Sequence, residues 1–258
     1  CFFDEKFVNN FLKTKNKVDI FTINNLFANV DDLNALMKNI NILSNKNSFL
    51  VIESSYLFSM IKHMVFDFIY HEHLSYLSLR PLRKFTKSYD FYLYDVIESG
   101  SKGGSLRYIF TKDKKKIINK KQISKILRNE PNNKNIKILF SKFQIKIASQ
   151  VTKLRDFIKK NKSKTMIGFG ASATTTTFIS HYKIGKDIKY LVDENPDKIN
   201  KFSPGYHIPV INLKKLDEIE FDIIIIFAWR YSEIIIPKLK KFNKEILVPL
   251  PNFRVINN

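Results

Sequence analysis

Val18-Asp-Ile-Phe-Thr-Ile23 is followed, after a polar break, by Asp31 to Leu43 and then by Phe49-Leu-Val-Ile52. The first and last of these runs are built from the β-branched and aromatic residues that favour strands. Between them Leu33, Leu36, Met37, Ile40 and Leu43 recur at the spacing of one helix face. Asp31 or Asp32 stands where an amino-terminal cap is needed. A buried strand, a helix and a second buried strand form a parallel βαβ unit, so the chain reads as an α/β protein.

Beyond this unit, Phe91 to Glu98 and Ser105 to Phe110 read as two strands joined by Ser99-Gly-Ser-Lys-Gly-Gly104, a hairpin-like return. Lys112 to Lys162 is lysine-rich and helical in pattern, with Ile147, Val151, Leu154 and Ile158 on one face. Glu130-Pro-Asn-Asn-Lys-Asn135 breaks it into two helices. The α/β alternation then restarts with strands at Thr165-Met-Ile-Gly168, Ile188 to Val192, Phe221 to Phe227 and Ile246 to Val248. Three parts are therefore expected: 1–112, a helical connection over 113–162, and a second, Rossmann-like α/β domain over 163–258.

With 258 residues and 44% hydrophobic content, burial is not the limiting resource. No apolar run approaches the roughly 20 residues of a membrane span, and no signal peptide opens the chain. A cytoplasmic location and no membrane partner are the expectations. The single cysteine, Cys1, excludes an internal disulfide framework and a Cys-rich zinc site. The start at Cys1 rather than Met is read as a missing amino-terminal portion. The 44 basic and 24 acidic residues give a net charge of +20. Those lysines are scattered, without the interleaved aromatics of an RNA-binding surface, so no nucleic-acid partner is expected.

Three motifs carry chemistry. Tyr70-His-Glu-His73, in the run that begins Phe66-Asp-Phe, collects a phenol, a carboxylate and two imidazoles after the second strand. Ligands of open α/β sheets bind beyond the carboxyl ends of strands, so the position suits a site. An imidazole beside a carboxylate suits proton abstraction. A metal site would need further ligands that are not apparent. Second, Gly103-Gly104 allows close backbone approach, with Lys102 and Arg107 available to an anion. Third, Gly168-Phe-Gly-Ala-Ser-Ala173, with Asp193 about 20 positions on, fits the dinucleotide fingerprint and predicts a phosphate-bearing ligand at a helix start.

In order and spacing these pieces resemble the sugar C-methyltransferase family. The matching stretches are Phe2-Phe3, Asn25 to Leu33, Glu53-Ser-Ser-Tyr56, Phe66-Asp67, Tyr70 to His73 and Gly103 to Arg107. Gly168 to Ala173, Asp193-Glu-Asn-Pro196, Pro204 to Pro209 and Phe227-Ala-Trp229 complete the set. The resemblance implies the second half of a class I methyltransferase Rossmann domain, then the helical connection and a second Rossmann-like domain. It implies S-adenosylmethionine (SAM) as cofactor, with the glycine-rich loop outside this chain and zinc only in a missing amino-terminal region. The implied substrate is a nucleotide-linked keto-deoxysugar.

Tyr70, Glu72 and His73 are then the implied acid/base residues, with His73 as base, Glu72 as its orienter and Tyr70 as oxyanion donor. Substrate contacts are expected from Asn29, His71, Lys102, Gly103, Gly104, Arg107, Gly170, Ser172, Asp193 and Trp229. Cofactor contacts are expected from Asn24, Asn25 and Phe27. Asn29 and Lys102 depart from the pattern, since many relatives carry histidine at both places. The alternatives are an NAD-binding oxidoreductase, resting on Gly168 to Ala173 and Asp193, and a non-catalytic nucleotide-sugar-binding module.

Overall fold

The computed structural model describes residues 2–100, 103–116 and 121–257. The chain divides into two compact units, Cys1–Lys62 with His71–Lys137, and His63–Tyr70 with Ile138–Asn258.

In the first unit α1 (Glu5–Thr14) precedes β1 (Val18–Asn24), which pairs in parallel with β2 (Ser44–Ser55); α2 (Leu33–Leu43) lies between the strands in sequence and α3 (Leu57–Lys62) follows them. Asp32 caps α2, its Oδ1 accepting the Ala35 N–H at 2.9 Å. The apolar stripe of α2 buries Met37, Ile40 and Leu43. Strand β2 begins five residues earlier than the apolar run Phe49 to Ile52 suggests. Its first part, Ser44-Asn-Lys-Asn-Ser48, is polar, and the register with β1 shifts there, so Val18 faces Ser44 but Ile20 faces Phe49. Such an irregular polar stretch carries no strand signature.

Strands β3 (Tyr92–Ser99) and β4 (Ser105–Thr111) form the expected antiparallel pair. Strand β4 also pairs antiparallel with β2, giving the order β1-β2-β4-β3. The core gathers Leu50 and Ile52 of β2, Tyr108 and Phe110 of β4, Met37 and Ile40 of α2, and Leu79 and Leu82 of α4 (Leu79–Lys87). Ile123 and Ile126 of α5 (Lys121–Asn129) join this core. The first half of the helical stretch thus packs with the first unit.

The second unit holds most of α6 (Asn133–Lys160), on which Leu154 and Ile158 are buried and Ile147 and Val151 partly so. Its sheet runs β10-β9-β8-β5-β6-β7. Strands β5 (Met166–Phe169), β6 (Ile188–Asp193), β7 (Val210–Asn212), β8 (Ile223–Ile226) and β9 (Glu245–Val248) are parallel neighbours, and β10 (Arg254–Ile256) is antiparallel to β9. Strands β5 and β8 are buried along their whole length, as a sheet covered on both faces requires. The short β7 and β10 are not visible as strands in the sequence.

Residues 63–70 belong to this second unit. The Phe66 ring lies 5.7 Å from Phe178 and 5.8 Å from Tyr182 of α7 (Ala173–Tyr182), and those two rings stack at 4.0 Å. Burying such a phenylalanine ring stabilises by about 1.5–3 kcal/mol. Among the described residues no helix is long and apolar enough to cross a membrane.

Candidate active site

A small open cleft lies in the first unit beyond the carboxyl ends of β1 and β2. Asn25, Ala28, Asn29, Ser54, Ser55, Met60, His73, Ser75 and Tyr76 line it. The backbone explains how they converge. Asn25 takes a left-handed conformation (φ 53°), which asparagine tolerates better than most residues, and donates its N–H to the Glu53 carbonyl at 2.8 Å. The chain then leaves the sheet into a short 3-10 turn, Phe27–Asn29, closed by the Asn29 N–H on the Leu26 carbonyl at 2.8 Å. The Ala28 carbonyl accepts the N–H groups of Leu74 and Ser75, at 2.8 and 3.0 Å, and so draws the segment after His73 against this turn.

Chemically the cleft is polar and uncharged apart from whatever proton His73 carries. The Asn29 Oδ1 atom is buried and has no hydrogen-bond partner. An unmet buried acceptor costs about 1–3 kcal/mol, which a ligand O–H or N–H would recover. His73 is partly buried, with its ring 6.5 Å from that of Tyr76 and nearly perpendicular to it. Arg107 faces Glu53 across the β2–β4 register, and its Nε and Nη2 lie 2.8 and 2.7 Å from Glu53 Oε2. That cation is therefore matched by a carboxylate before any anionic ligand arrives.

The run Tyr70-His-Glu-His73 is divided. Tyr70 ends the segment that belongs to the second unit, with its N–H on the Phe68 carbonyl at 3.1 Å. His71 and Glu72 are exposed on a turn, and only His73 lines the cleft. Of the expected cofactor contacts, Asn25 lines the cleft and Asn24 is exposed at the end of β1. Phe27 is 1% exposed and packs edge-on against Phe85, so its ring anchors the turn and has no face left for a cofactor.

Gly103 and Gly104 have φ of 84° and 113°, and the Gly104 carbonyl accepts the Tyr56 N–H at 3.1 Å. Their glycine character serves this turn into β4. Lys102 lies outside the described residues. Sequence reasoning missed Ser54, Ser55, Met60, Ser75 and Tyr76. The end of a buried strand at Glu53-Ser-Ser-Tyr56 was the available signal, by the same rule that placed the Tyr70 run.

In the second unit the expected strand, glycine turn and helix are present, but their polar groups are satisfied within the fold. Asp193 Oδ2 accepts the Ala171 N–H at 2.8 Å and the Lys198 ammonium at 3.1 Å, while its Oδ1 accepts the Asn195 N–H at 2.9 Å. Burial pushes the Asp193 carboxyl up, but these hydrogen bonds outweigh it and hold the group below its ordinary range. Ser172 caps α7 through Thr175. Gly170 has φ 102°, and a Cβ there would stand 3.0 Å from the Ala228 Cβ. A Cβ on Gly168 would stand 2.4 Å from the Phe227 ring. Both glycines are thus required by packing. A carboxylate already sits on the turn where a dinucleotide phosphate would bind, which weighs against the NAD-oxidoreductase reading.

Trp229, expected at the substrate, is instead 4% exposed and donates its indole N–H to Asp67 Oδ2 at 3.0 Å. Arg230 grips the same carboxylate, with Nη1 2.9 and 2.8 Å from its two oxygens. The guanidinium also lies 4.4 Å over the Phe68 ring. Asp67 is fully buried, and burial pushes its carboxyl up although Arg230 and Trp229 pull it down. Among the described residues no group of three or more His, Cys, Asp or Glu side chains could hold a metal ion.

Over 239 residues the chain is 24% identical to the C-methyltransferase NovU of Streptomyces niveus, covering 90% of this chain and 57% of that protein. The chain thus spans little more than half the length of this curated relative. Among solved structures it is similar to the N-methyltransferase NodS of Bradyrhizobium japonicum WM9, at 9% identity and a TM-score of 0.29. That likeness covers 39% of this chain and 54% of the other and is too slight to carry an argument. Residues 100–251 match the C-methyltransferase C-terminal domain. This match takes in more than half of the chain, and the chain belongs to that family.

Proposed function

We propose that this chain carries the acid/base side of a SAM-dependent C-methyltransferase that acts on a nucleotide-linked keto-deoxysugar. The observation that supports it most is the cleft beyond β1 and β2, where His73 and the unpartnered Asn29 Oδ1 stand among serines. The lining offers hydroxyls, amides and an imidazole but no fixed cation. Such a lining suits a hydroxylated sugar ring better than a diphosphate. In this reading the Asn29 Oδ1 accepts from a sugar hydroxyl.

SAM, when bound, supplies an electrophilic methyl group. Asn24 and Asn25, where β1 ends, are the residues of this chain that would contact it. His73 takes the proton from a carbon next to the ketone, and the C–H electron pair moves into an enolate. The methyl group of bound SAM would be the electrophile this carbon meets, and His73 keeps the abstracted proton until solvent removes it. Glu72, next to His73 in sequence, keeps the role of its orienter in this proposal.

The proton step can be read without methyl transfer. In deuterated buffer, without SAM, the full-length protein should exchange hydrogen at the carbon next to the ketone of a dTDP-linked 4-keto-deoxysugar. His73→Ala should lower that exchange by about 10²–10⁴-fold. Exchange that is absent, or unchanged in His73→Ala, would remove the base from the cleft.

A further inference from the structure

The wall of the cleft that carries His73, Ser75 and Tyr76 has no regular structure between the turn at residues 70–72 and helix α4. An irregular wall of this kind keeps its geometry only if its ends are held. At its far end Tyr56 and Leu77 form a parallel β-bridge, and the Leu57 N–H donates to the Leu77 carbonyl at 2.9 Å. One side chain then ties Tyr56, and the start of α4 two residues beyond Leu77, to a third point. Glu130, one residue beyond α5, accepts the Tyr56 hydroxyl on Oε1 at 3.1 Å and the Leu79 N–H on the same oxygen at 2.6 Å. Its Oε2 accepts the Arg80 N–H at 3.0 Å.

Glu130 therefore does what the local residue does not. Ser78, at the amino-terminal cap of α4, makes no side-chain capping bond. The free N–H groups of Leu79 and Arg80 turn to a carboxylate about 50 residues away in sequence, where a negative charge also meets the positive end of the helix. The Glu130 side chain is 2% exposed, so water does not compete for these bonds. The Tyr56 phenol is held well above its ordinary pKa, first by burial and then by Glu130, and so stays a donor. Tyr56 directly follows Ser54 and Ser55, and Leu77 directly follows Tyr76, so the same carboxylate secures two neighbouring walls of the cleft.

We infer that Glu130 is a positioning residue for the cleft, holding the His73–Tyr76 wall against the end of β2 through Tyr56 and the start of α4. The inference rests on reading the cleft as the reaction site, but its structural part can be tested separately. Glu130→Gln keeps the size of the side chain yet leaves one acceptor oxygen for three donors. Tyr56→Phe removes only the hydroxyl.

The test uses the full-length protein and reads the ring ¹H–¹⁵N spectrum of His73 together with the kinetics of methyl transfer to a dTDP-linked 4-keto-deoxysugar. In Glu130→Gln the His73 ring signals should shift or broaden, and kcat should fall on the order of tenfold or more while the KM for SAM stays within about twofold. Tyr56→Phe should move both readings in the same direction by less. Unchanged His73 signals in a folded Glu130→Gln protein overturn the inference. If that variant does not fold, unchanged signals in folded Tyr56→Phe overturn it instead. Shifted His73 signals in a protein that transfers no methyl group uphold the positioning role and sink the functional reading alone.

Discussion

Asp193 Oδ2 lies 2.8 Å from the backbone nitrogen of Ala171, so the carboxylate at the end of β6 fills the glycine turn that follows β5. A turn that looks built for an external anion is closed by an internal one. Asp193→Asn should cost about 1–2 kcal/mol in urea unfolding, since the group is partly buried and its bonds are charge-assisted. The pH dependence has a definite sign. The folded-state pKa lies below the unfolded value of about 3.9, so this contribution is present above that value. It is lost as pH falls through the lower, folded value. A stability difference between wild type and Asp193→Asn that did not shrink with falling pH in the acid range would contradict this assignment.

The Asp67–Arg230 pair behaves differently because it is buried. Arg230→Ala leaves the fully buried Asp67 carboxylate with the Trp229 indole N–H but no cation, at a cost of about 3–5 kcal/mol. Here the folded pKa is raised, so the charged form already opposes folding at neutral pH. Without Arg230 that penalty grows, and the variant should regain stability relative to wild type as pH falls toward 5. Urea midpoints measured at pH 7 and pH 5 decide this.

Gly170→Ala should destabilise by about 1–3 kcal/mol, combining a φ of 102° with the contact to Ala228. Gly168→Ala meets the Phe227 ring at 2.4 Å and Leu191 at 2.8 Å, in a strand buried along its length. Its cost depends on how far those side chains can move, within about 1–3 kcal/mol. Thermal unfolding of both variants checks that these glycines serve packing. A Gly170→Ala protein as stable as wild type would instead leave room for a ligand-facing role.

The sequence was most legible where periodicity was strong. The βαβ unit, the antiparallel pair at Tyr92–Ser99 and Ser105–Thr111, and the strand-turn-helix at Met166–Tyr182 all followed from apolar spacing and glycine placement. The helical stretch split where Glu130-Pro131 broke the pattern, but its halves joined different units, because the stripes of α5 and α6 do not name the surfaces they pack on. The site was legible in part. His73 and Asn29 were found as chemical residue types, whereas Ser54, Ser55 and Ser75 gain meaning only from the turn that brings them together. Trp229 and Phe27 carry no local sign of their partners, and long-range packing commits one to Asp67 and the other to the core. The Glu130 bonds to Leu79 and Arg80 join positions about 50 residues apart and leave no local signature.

Asn29 offers a separation of stability from activity. Its buried, unpartnered Oδ1 is a liability in the ligand-free protein and an asset when a hydroxyl meets it. Asn29→Ala should leave the unfolding free energy unchanged or raise it by up to about 1 kcal/mol, while weakening sugar binding by about 1–3 kcal/mol. Calorimetric unfolding and titration with the dTDP-linked keto-deoxysugar test the two halves. A clear loss of stability without loss of affinity would place Asn29 in the fold rather than the site.

Carbon methylation driven from the His73 cleft can be read directly in the product. The most direct measurement incubates full-length wild type and His73→Ala with methyl-labelled SAM and a dTDP-linked 4-keto-deoxysugar, and assigns the labelled product by mass and NMR. Wild type should form a product with the methyl group bound to the carbon beside the ketone, and His73→Ala should form about 10²–10⁴-fold less of it. A label on oxygen or nitrogen, or wild-type turnover in the variant, would contradict it.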